Sequence, residues 1–576
     1  MVGVVEQTVA AAAAAHTSAH PEAPLRAARS EPQTLWHKLD HLLYLPILGL
    51  ERPMDLYYYQ EAGLKVLYGF TYKYHSLEHF LGEMAHLAVG YPLADALARC
   101  YQEAWYPGGE PLPIFIDWHT KPHWTKYEAH SNHIAMWGRV MPGTKQLAVT
   151  GPGGHLLWVA NAPVDSHFND VLVDLEEALA KKLARPISLS TFDGEGSGLP
   201  MALRYAAAGR AYLSVVAGGW QYSLDEFLVL GEWEPVVGDA QHEAADALWR
   251  DPAKRKAEVR RLVLMRRRCD PQPTRIYAGR IPAELSPGMV PGRYRERWMA
   301  QERVFREMVN GANLNVNYGY TAQLVPNRTA RRRYEEAQAR VEASERLQAW
   351  DREAIGNWQR QLLALRQQRS RESDELQKRL EIEETDLKRR ESAGLPTRAC
   401  QRRLEAIRRR LEQATARYQQ RRHQLLGWIA ERRQRYRETG KQLVERRTTR
   451  DAIDTTTLCR ERDLQKDQVM LDLQVVLTSL HDWARQHYFA PEWAHLELDT
   501  ATKLIYRKAG VVTWGKEEIS VELEPYRYPE QQEAMEQTCA RFNQAQLRWR
   551  DGRLIRIRVA PVPGFQSSRS TASVPR

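Results

Sequence analysis

Three acidic residues in this chain stand where solvation alone does not explain a carboxylate. Asp117 follows the apolar run Ile114, Phe115, Ile116 in PIFIDWHT, and Asp193 follows ISLSTF. Both are therefore expected at the ends of buried strands. If those strands lie side by side, the two carboxylates come within reach of a shared cation. Asp193 comes 76 residues after Asp117, which leaves room for two further strands and a crossover helix. Glu302 is the third candidate. Its helix carries the apolar stripe Tyr294, Trp298, Phe305 and Val309, and Glu302 fills the gap in that stripe. An ionised carboxylate on a core-facing seam costs on the order of several kcal/mol unless something positive meets it. Arg297 or Arg306 as partner makes this a structural ion pair. A divalent metal shared with Asp117 and Asp193 makes it a site. Carboxylates from separated elements suit hard cations such as Mg²⁺ or Mn²⁺, which keep positions open for water and phosphate. Two such ions about 3.5–4 Å apart activate the attacking oxygen and stabilise the leaving one in phosphodiester cleavage or transfer.

The elements that must hold these residues are legible nearby. TKQLAV (144–149) and HLLWVA (155–160) read as strands, with GPGG (151–154) as the hairpin turn between them. Ser166 caps a helix with the stripe Phe168, Val171, Leu172, Leu175 and Leu179. ISLSTF, a helix over Leu199–Ala208 and the strand AYLSVV follow. The order is three strands, helix, strand, helix, strand. Residues 217–280 read as strand-rich with a helical piece around Gln241–Arg260, and Ser286–Asn310 reads as a helix.

IDWHT, TFDGEG and YRERWMAQERVFREM resemble the three signature stretches of bacterial insertion-sequence DDE transposases. The branch meant has a ribonuclease H-like catalytic core and a strand-rich insertion before the final glutamate. The interval of 109 residues from Asp193 to Glu302 accommodates such an insertion, at about 217–275. The resemblance implies a catalytic triad of Asp117, Asp193 and Glu302 holding two Mg²⁺ or Mn²⁺ ions. Tyr294, Arg297, Arg306 and His119 are the candidate DNA contacts. In many relatives the last stretch runs Tyr, two residues, Arg, three residues, Glu. Here Tyr294 and Arg297 match, position 301 is Gln, and Glu302 comes one residue later. The implied activity is cut-and-paste transposition: cleavage at terminal inverted repeats, then attack of the freed 3′-hydroxyl on target DNA, by a dimer. A transposase-derived protein that binds DNA without cutting and a coiled-coil scaffold protein are the alternatives.

The expected fold class is multidomain α/β, with a ribonuclease H-like mixed sheet core. Residues 1–33 read as a disordered leader and 34–108 as a helical domain. In that domain, helices around Gly90 form either a helix-turn-helix reader of DNA or a plain helical hairpin. Residues 111–325 hold the catalytic domain with its insertion. Residues 328–448 read as a long helical hairpin broken at SAGLP (392–396), with a heptad seam through Leu404, Ile407, Leu411, Ala414, Tyr418, Arg421, Leu425 and Trp428. Residues 449–562 read as a small α+β domain, with strands TKLIY, ISVELE and RLIRIRV, and 563–576 as a disordered tail.

Charge is unevenly placed. From Thr397 to Arg450 there are 17 Lys and Arg against 5 Glu, a balance of +12 in a chain whose net charge is +10. A basic segment of this kind implies a polyanion partner, contacted through phosphate. Five scattered cysteines with no CxxC pair exclude a disulfide framework and a cysteine zinc site, and suit a reducing cytoplasm, with the protein on the nucleoid. Zinc on His119, His123, His130 and His133 has no supporting finger spacing. No run approaches the roughly 18 apolar residues of a membrane span, and the N-terminus lacks the basic region of a signal peptide. Glu195 reads as an auxiliary carboxylate or as a helix N-terminal charge.

Overall fold

The structure, a computed structural model, describes residues 2–19, 32–58, 64–65, 72–270, 272–318 and 322–561. Its contacts divide the chain into two compact units. One comprises residues 1–324 with 460–576, and the other residues 325–459.

Among the described residues of the first unit, the long helices before the sheet are α1 (Val2–Ala19), α2 (Pro32–Leu48), α3 (Tyr74–His86) and α4 (Gly90–Trp105). Residues 2–19 are thus helical, not disordered. Alanine has the highest helix propensity, and Val5 and Val9 give this helix one face to bury. Residues 20–31 of the expected leader lie outside the described residues. α3 buries Leu77, Phe80, Leu81 and Met84 at helical spacing. α4 is packed on two sides: Leu93, Leu97 and Tyr101 pack among the helices, Ala94 and Ala98 pack into the sheet's core, and Tyr91 Oη donates to the Asn161 carbonyl. Pro92, Arg99 and Glu103 are left on its exposed side.

The sheet begins with β1 (Leu112–Pro122), β2 (Ser131–Ile134), β3 (Arg139–Thr150) and β4 (Leu156–Pro163). Helix α5 (Phe168–Lys182), β5 (Ile187–Phe192), α6 (Leu199–Ala207) and β6 (Tyr212–Val215) follow. The spatial order is β4-β3-β1-β5-β6. β3 runs antiparallel to β1 and β4, while β1, β5 and β6 are parallel. β1 does not stop at Asp117 as expected. β3 goes on pairing with it as far as Pro122↔Gly143, whereas β5 ends at the row Ile116↔Phe192. Beyond that row β1 has a neighbour on one side only, which opens the sheet beside Asp117.

β7 (Phe227–Val236), β8 (Asp239–Trp249), α7 (Pro252–Ala257), β9 (Arg261–Arg267) and β10 (Pro273–Gly279) extend the same sheet in the order β6-β10-β9-β8-β7. Of the helix expected over Gln241–Arg260 only α7 exists. Residues 239–249, alanine-rich as they are, pair on both sides with β7 and β9, so tertiary pairing overrides local propensity. Helix α8 (Val290–Gly311) then packs across β1 and β5.

The second unit is an antiparallel pair of long helices, α9 (Arg328–Ser392) and α10 (Arg398–Asp451). Gly394 takes a left-handed φ of 60° in the turn between them. Cys400, Leu404, Leu425, Ile429, Thr439 and Leu443 are the buried residues of α10, and Val341, Ser344 and Asp351 those of α9. Asp351 is fully buried and accepts from Arg432 and Arg435, each at 2.6 Å, while Arg432 lies 3.9 Å over the Trp350 ring. This buried charge fixes which turn of α9 meets which turn of α10.

Back in the first unit, α11 (Leu464–His487) joins the helical core of α2, α3 and α4 through Val469, Met470, Leu473 and Val476. The boundary expected at residue 449 therefore does not hold: α11 belongs to the core of the N-terminal helices. TKLIY (502–506) forms a π-helical turn and no strand. The remaining small sheet comprises β11 (Gly510–Trp514), β12 (Glu518–Leu523) and β13 (Leu554–Val559), with α12 (Pro529–Gln544) against it. The expected tail lies outside the described residues. Among those described, no helix is long and apolar enough to cross a membrane.

Candidate active site

Asp117 and Asp193 are brought together. Each sits one residue beyond the register row Ile116↔Phe192 of the parallel pair β1–β5. Asp117 Oδ1 accepts from the Trp118 amide at 2.9 Å, and Asp193 Oδ1 accepts from the Gly194 amide at 2.7 Å. Gly194 can approach because a Cβ there would already stand 3.1 Å from the Val215 carbonyl. α8 supplies the groups that meet both carboxylates. Arg297 Nη1 donates to Asp117 Oδ2 at 2.7 Å, and its Nη2 lies 3.9 Å from Asp193 Oδ1. Tyr294 Oη donates to Asp193 Oδ1 at 3.3 Å, and the Arg297 guanidinium rests 5.4 Å over the Tyr294 ring. Burial pushes Asp117 up to about 6, and the Asp193 charge adds to this, against the pull of Arg297. Burial likewise raises the Tyr294 phenol to about 12, so it remains a donor at neutral pH.

The third carboxylate is not on this face. Gln301, 1% exposed, stands beside Arg297 and accepts from its Nη1 at 3.3 Å, while its own amide nitrogen is buried without a hydrogen-bond partner. Glu302 is exposed. Helix geometry accounts for the difference: at roughly 100° per residue, Gln301 lies about 40° from Arg297 around the axis and Glu302 about 140°. The stripe expected from sequence included Trp298, which is 62% exposed. The stripe that is buried runs Tyr294, Gln301, Val304, Met308 and Gly311. The spacing Tyr294, Arg297, Gln301 was the available signal, since steps of three and four keep one helix face.

His119 does not stand free for phosphate. Its ring stacks on Phe305 at 5.4 Å, Nε2 meets Asn315 Oδ1 at 2.7 Å, and burial lowers its pKa, so it is neutral near pH 7. Arg306 lies on the far side of α8 from Arg297 and pairs with Glu497 at 2.5 Å. Glu195, in the short turn after Asp193, stands 3.3 Å from Nδ1 of His167, the residue that caps the N-terminus of α5, and 3.7 Å from Lys145 Nζ, where it faces a helix N-terminus as a favourable charge. The histidines after Asp117 do not converge: His123 Nε2 meets Thr144 Oγ1 at 2.6 Å. Among the described residues one group of three potential metal ligands lies within 4.8 Å, namely Glu383, Asp386 and Cys400 at the turn of the second unit. Arg403 and Arg390 already pair with its carboxylates, so its charge is met without a cation.

Sequence reasoning missed Lys121, which anchors β1 below the site. It is 2% exposed, lies 3.3 Å from Asp467 of α11 and donates to the Val316 carbonyl at 3.0 Å. It also missed Glu307 on α8, 2% exposed and pushed up to about 7 by burial and by the charge of Asp482. No protein-family model matches the chain, and no curated protein matches it.

Proposed function

We propose that the chain is a DNA-binding and DNA-cutting protein of the insertion-sequence transposase type, working on element ends as a dimer. The observation that carries this reading is the pair Asp117 and Asp193, side by side one residue beyond the last paired row of β1 and β5, where β5 ends and β1 continues. The order β4-β3-β1-β5-β6 with β3 reversed agrees with the order expected of a ribonuclease H-like core, and the four further strands β7–β10 fall between Asp193 and α8, which supports the resemblance of the three signature stretches.

The residues fit one divalent cation, Mg²⁺ or Mn²⁺. A guanidinium already stands between the two carboxylates, 2.7 Å from Asp117 and 3.9 Å from Asp193, and with Arg297 displaced the same two carboxylates would hold a metal ion. A second ion lacks its carboxylate while Glu302 faces outward. When bound, the metal supplies Lewis-acid polarisation of a phosphodiester. The chain's own groups do the rest. Asp117 and Asp193 hold the cation, Tyr294 fixes the Asp193 rotamer, and a displaced Arg297 presents a forked donor to a phosphate oxygen. The basic helix α10 adds phosphate contacts along duplex DNA, steeply dependent on salt.

One observation favours a second reading, DNA binding without cutting: an amide, Gln301, occupies the face where a third carboxylate would stand. The two readings separate in a cutting assay on end-labelled duplex in Mg²⁺ and in Mn²⁺. Cutting by the wild-type chain that is lost in Asp117→Ala and Asp193→Ala supports the first, and loss in Glu302→Gln shows that α8 turns Glu302 inward. Binding without cutting, with cutting gained in Gln301→Glu, supports the second. A chain that binds no DNA overturns both.

A further inference from the structure

We infer that the β2–β3 hairpin and the segment before it form a stacking site for an unpaired nucleic-acid strand, distinct from the acidic pair. The inference rests on the DNA reading above and goes beyond it in naming a second site and the form of nucleic acid it takes. Trp124, Trp137 and Tyr127 are 66%, 49% and 48% exposed on one surface. Large aromatics held in water in a group mark a binding surface. Trp124 and Trp137 meet edge to face at 5.8 Å, so each leaves a ring face open. Arg139 lies 4.9 Å over Trp124 and 5.8 Å from Trp137. Arg460 lies 3.6 Å over Tyr127, and Lys126 reaches the same ring at 5.7 Å. Among the described residues none of these three cations has a carboxylate within ion-pair distance.

The surface is built, not incidental. β2 pairs only with the first residues of β3, from Ser131↔Pro142 to Ile134↔Arg139, and Gly138 closes the turn with a left-handed φ of 59°. That projects Trp137 and Arg139 from the end of the sheet. Arg460 is tied to the same place by its backbone, whose amide donates to the Glu128 carbonyl at 2.9 Å in a bridge beside Ala129. A cavity runs between the two, lined by Trp124, Tyr127 and Arg460.

Charge decides the occupant. Three fixed cations repel a cationic ligand of the kind that aromatic cages take, and an apolar peptide would bury those cations without partners. A single strand offers both complements, with bases for the ring faces and phosphates for the guanidinium groups. Trp124 follows Asp117 by seven residues, so the site lies roughly 20 Å along the β1 direction from the acidic pair. An unpaired strand leaving that pair reaches the hairpin within a few nucleotides.

The test is fluorescence anisotropy with the full chain, a labelled oligothymidine and a labelled duplex. Stacking on one aromatic residue is worth about 1–3 kcal/mol per base. Trp124→Ala and Trp137→Ala, made singly, should therefore each weaken oligothymidine binding by roughly 5- to 150-fold, leave duplex binding within about twofold, and regain affinity when the position carries Tyr. Unchanged oligothymidine affinity, no oligothymidine binding by the wild-type chain, or an equal loss on duplex each overturns the inference. Lost self-association with unchanged oligothymidine affinity assigns the patch to a second copy of this chain and also overturns it. Asp117→Ala should bind oligothymidine as the wild type does, so a failure of the acidic-site reading shows in cutting alone.

Discussion

Replacing Arg297 with alanine exerts two opposed effects on the acidic pair, and their signs can be read separately. Arg297 Nη1 is 2.7 Å from Asp117 Oδ2, with side-chain exposures of 13% and 29%. Charge centres about 4 Å apart interact by about 4 kcal/mol at an effective dielectric constant near 20. Partial exposure reduces that to about 1.5–3 kcal/mol, or about one to two pH units on Asp117. Burial already pushes Asp117 up to about 6, so without Arg297 it should titrate above neutrality. At about pH 6 the variant's Asp117 is protonated and Mn²⁺ binds more weakly than to the wild type. At about pH 8.5 the variant's Asp117 is ionised and the competing guanidinium is gone, so Mn²⁺ binds about tenfold tighter. The two affinity–pH curves should cross near neutrality. Free Mn²⁺ measured by electron paramagnetic resonance across this range gives both curves, with Asp117→Asn as the control that abolishes the titration. Curves that run parallel, or a variant no tighter at high pH, would refute the claim that Arg297 holds the pair as its resident cation.

Glu307 carries a pH prediction in stability. Its raised pKa means that the folded state holds an extra proton between about 4.5 and about 7, so stability present at low pH is lost as pH rises through about 7. Glu307→Gln should raise the melting temperature near pH 8 and leave it unchanged near pH 5; equal shifts at both would remove Glu307 as the source. In the second unit, Asp351→Ala leaves Arg432 and the partly exposed Arg435 without their shared acceptor. The expected cost is about 2–3 kcal/mol in urea unfolding followed by helix circular dichroism, and a change under about 0.5 kcal/mol would show that the ion cluster does not set the register. Gly279→Ala places a Cβ 2.1 Å from the Tyr212 carbonyl oxygen, a backbone atom that cannot yield. β10 should detach from β6, seen as faster amide exchange in both strands, and unchanged exchange would mean that the two strands separate without cost.

Much of the fold is legible locally because its signals are periodic. ISLSTF, TKQLAV and HLLWVA are apolar runs of strand length bounded by turn residues; the first two fall within β5 and β3, and the third, apart from His155, within β4. The break at SAGLP falls between α9 and α10, where Gly394 needs its left-handed backbone. The misreadings share one cause, a partner distant in sequence. HEAADALW carries alanine's helical preference but has a strand on either side, so it is β8. TKLIY ends in the strand-like run Leu504, Ile505 and Tyr506 yet winds into a π turn. α11 reads as the start of a C-terminal domain and fills the core built by helices some 400 residues earlier.

The same division runs through the candidate site. Composition and spacing by themselves determined that two aspartates follow strand runs, that a helix with Tyr294 and Arg297 comes after a strand-rich segment, and that the basic charge is concentrated in one segment. Those are properties of neighbours along the chain. Only the tertiary structure decided that Arg297 stands between Asp117 and Asp193, that β1 outruns β5 beside them, and that Gln301 faces the pair while Glu302 faces water. Adjacent residues on a helix differ by about 100° in direction. Which of the two points inward depends on how α8 is rotated against β1 and β5, and that rotation is set by packing from strands more than a hundred residues away.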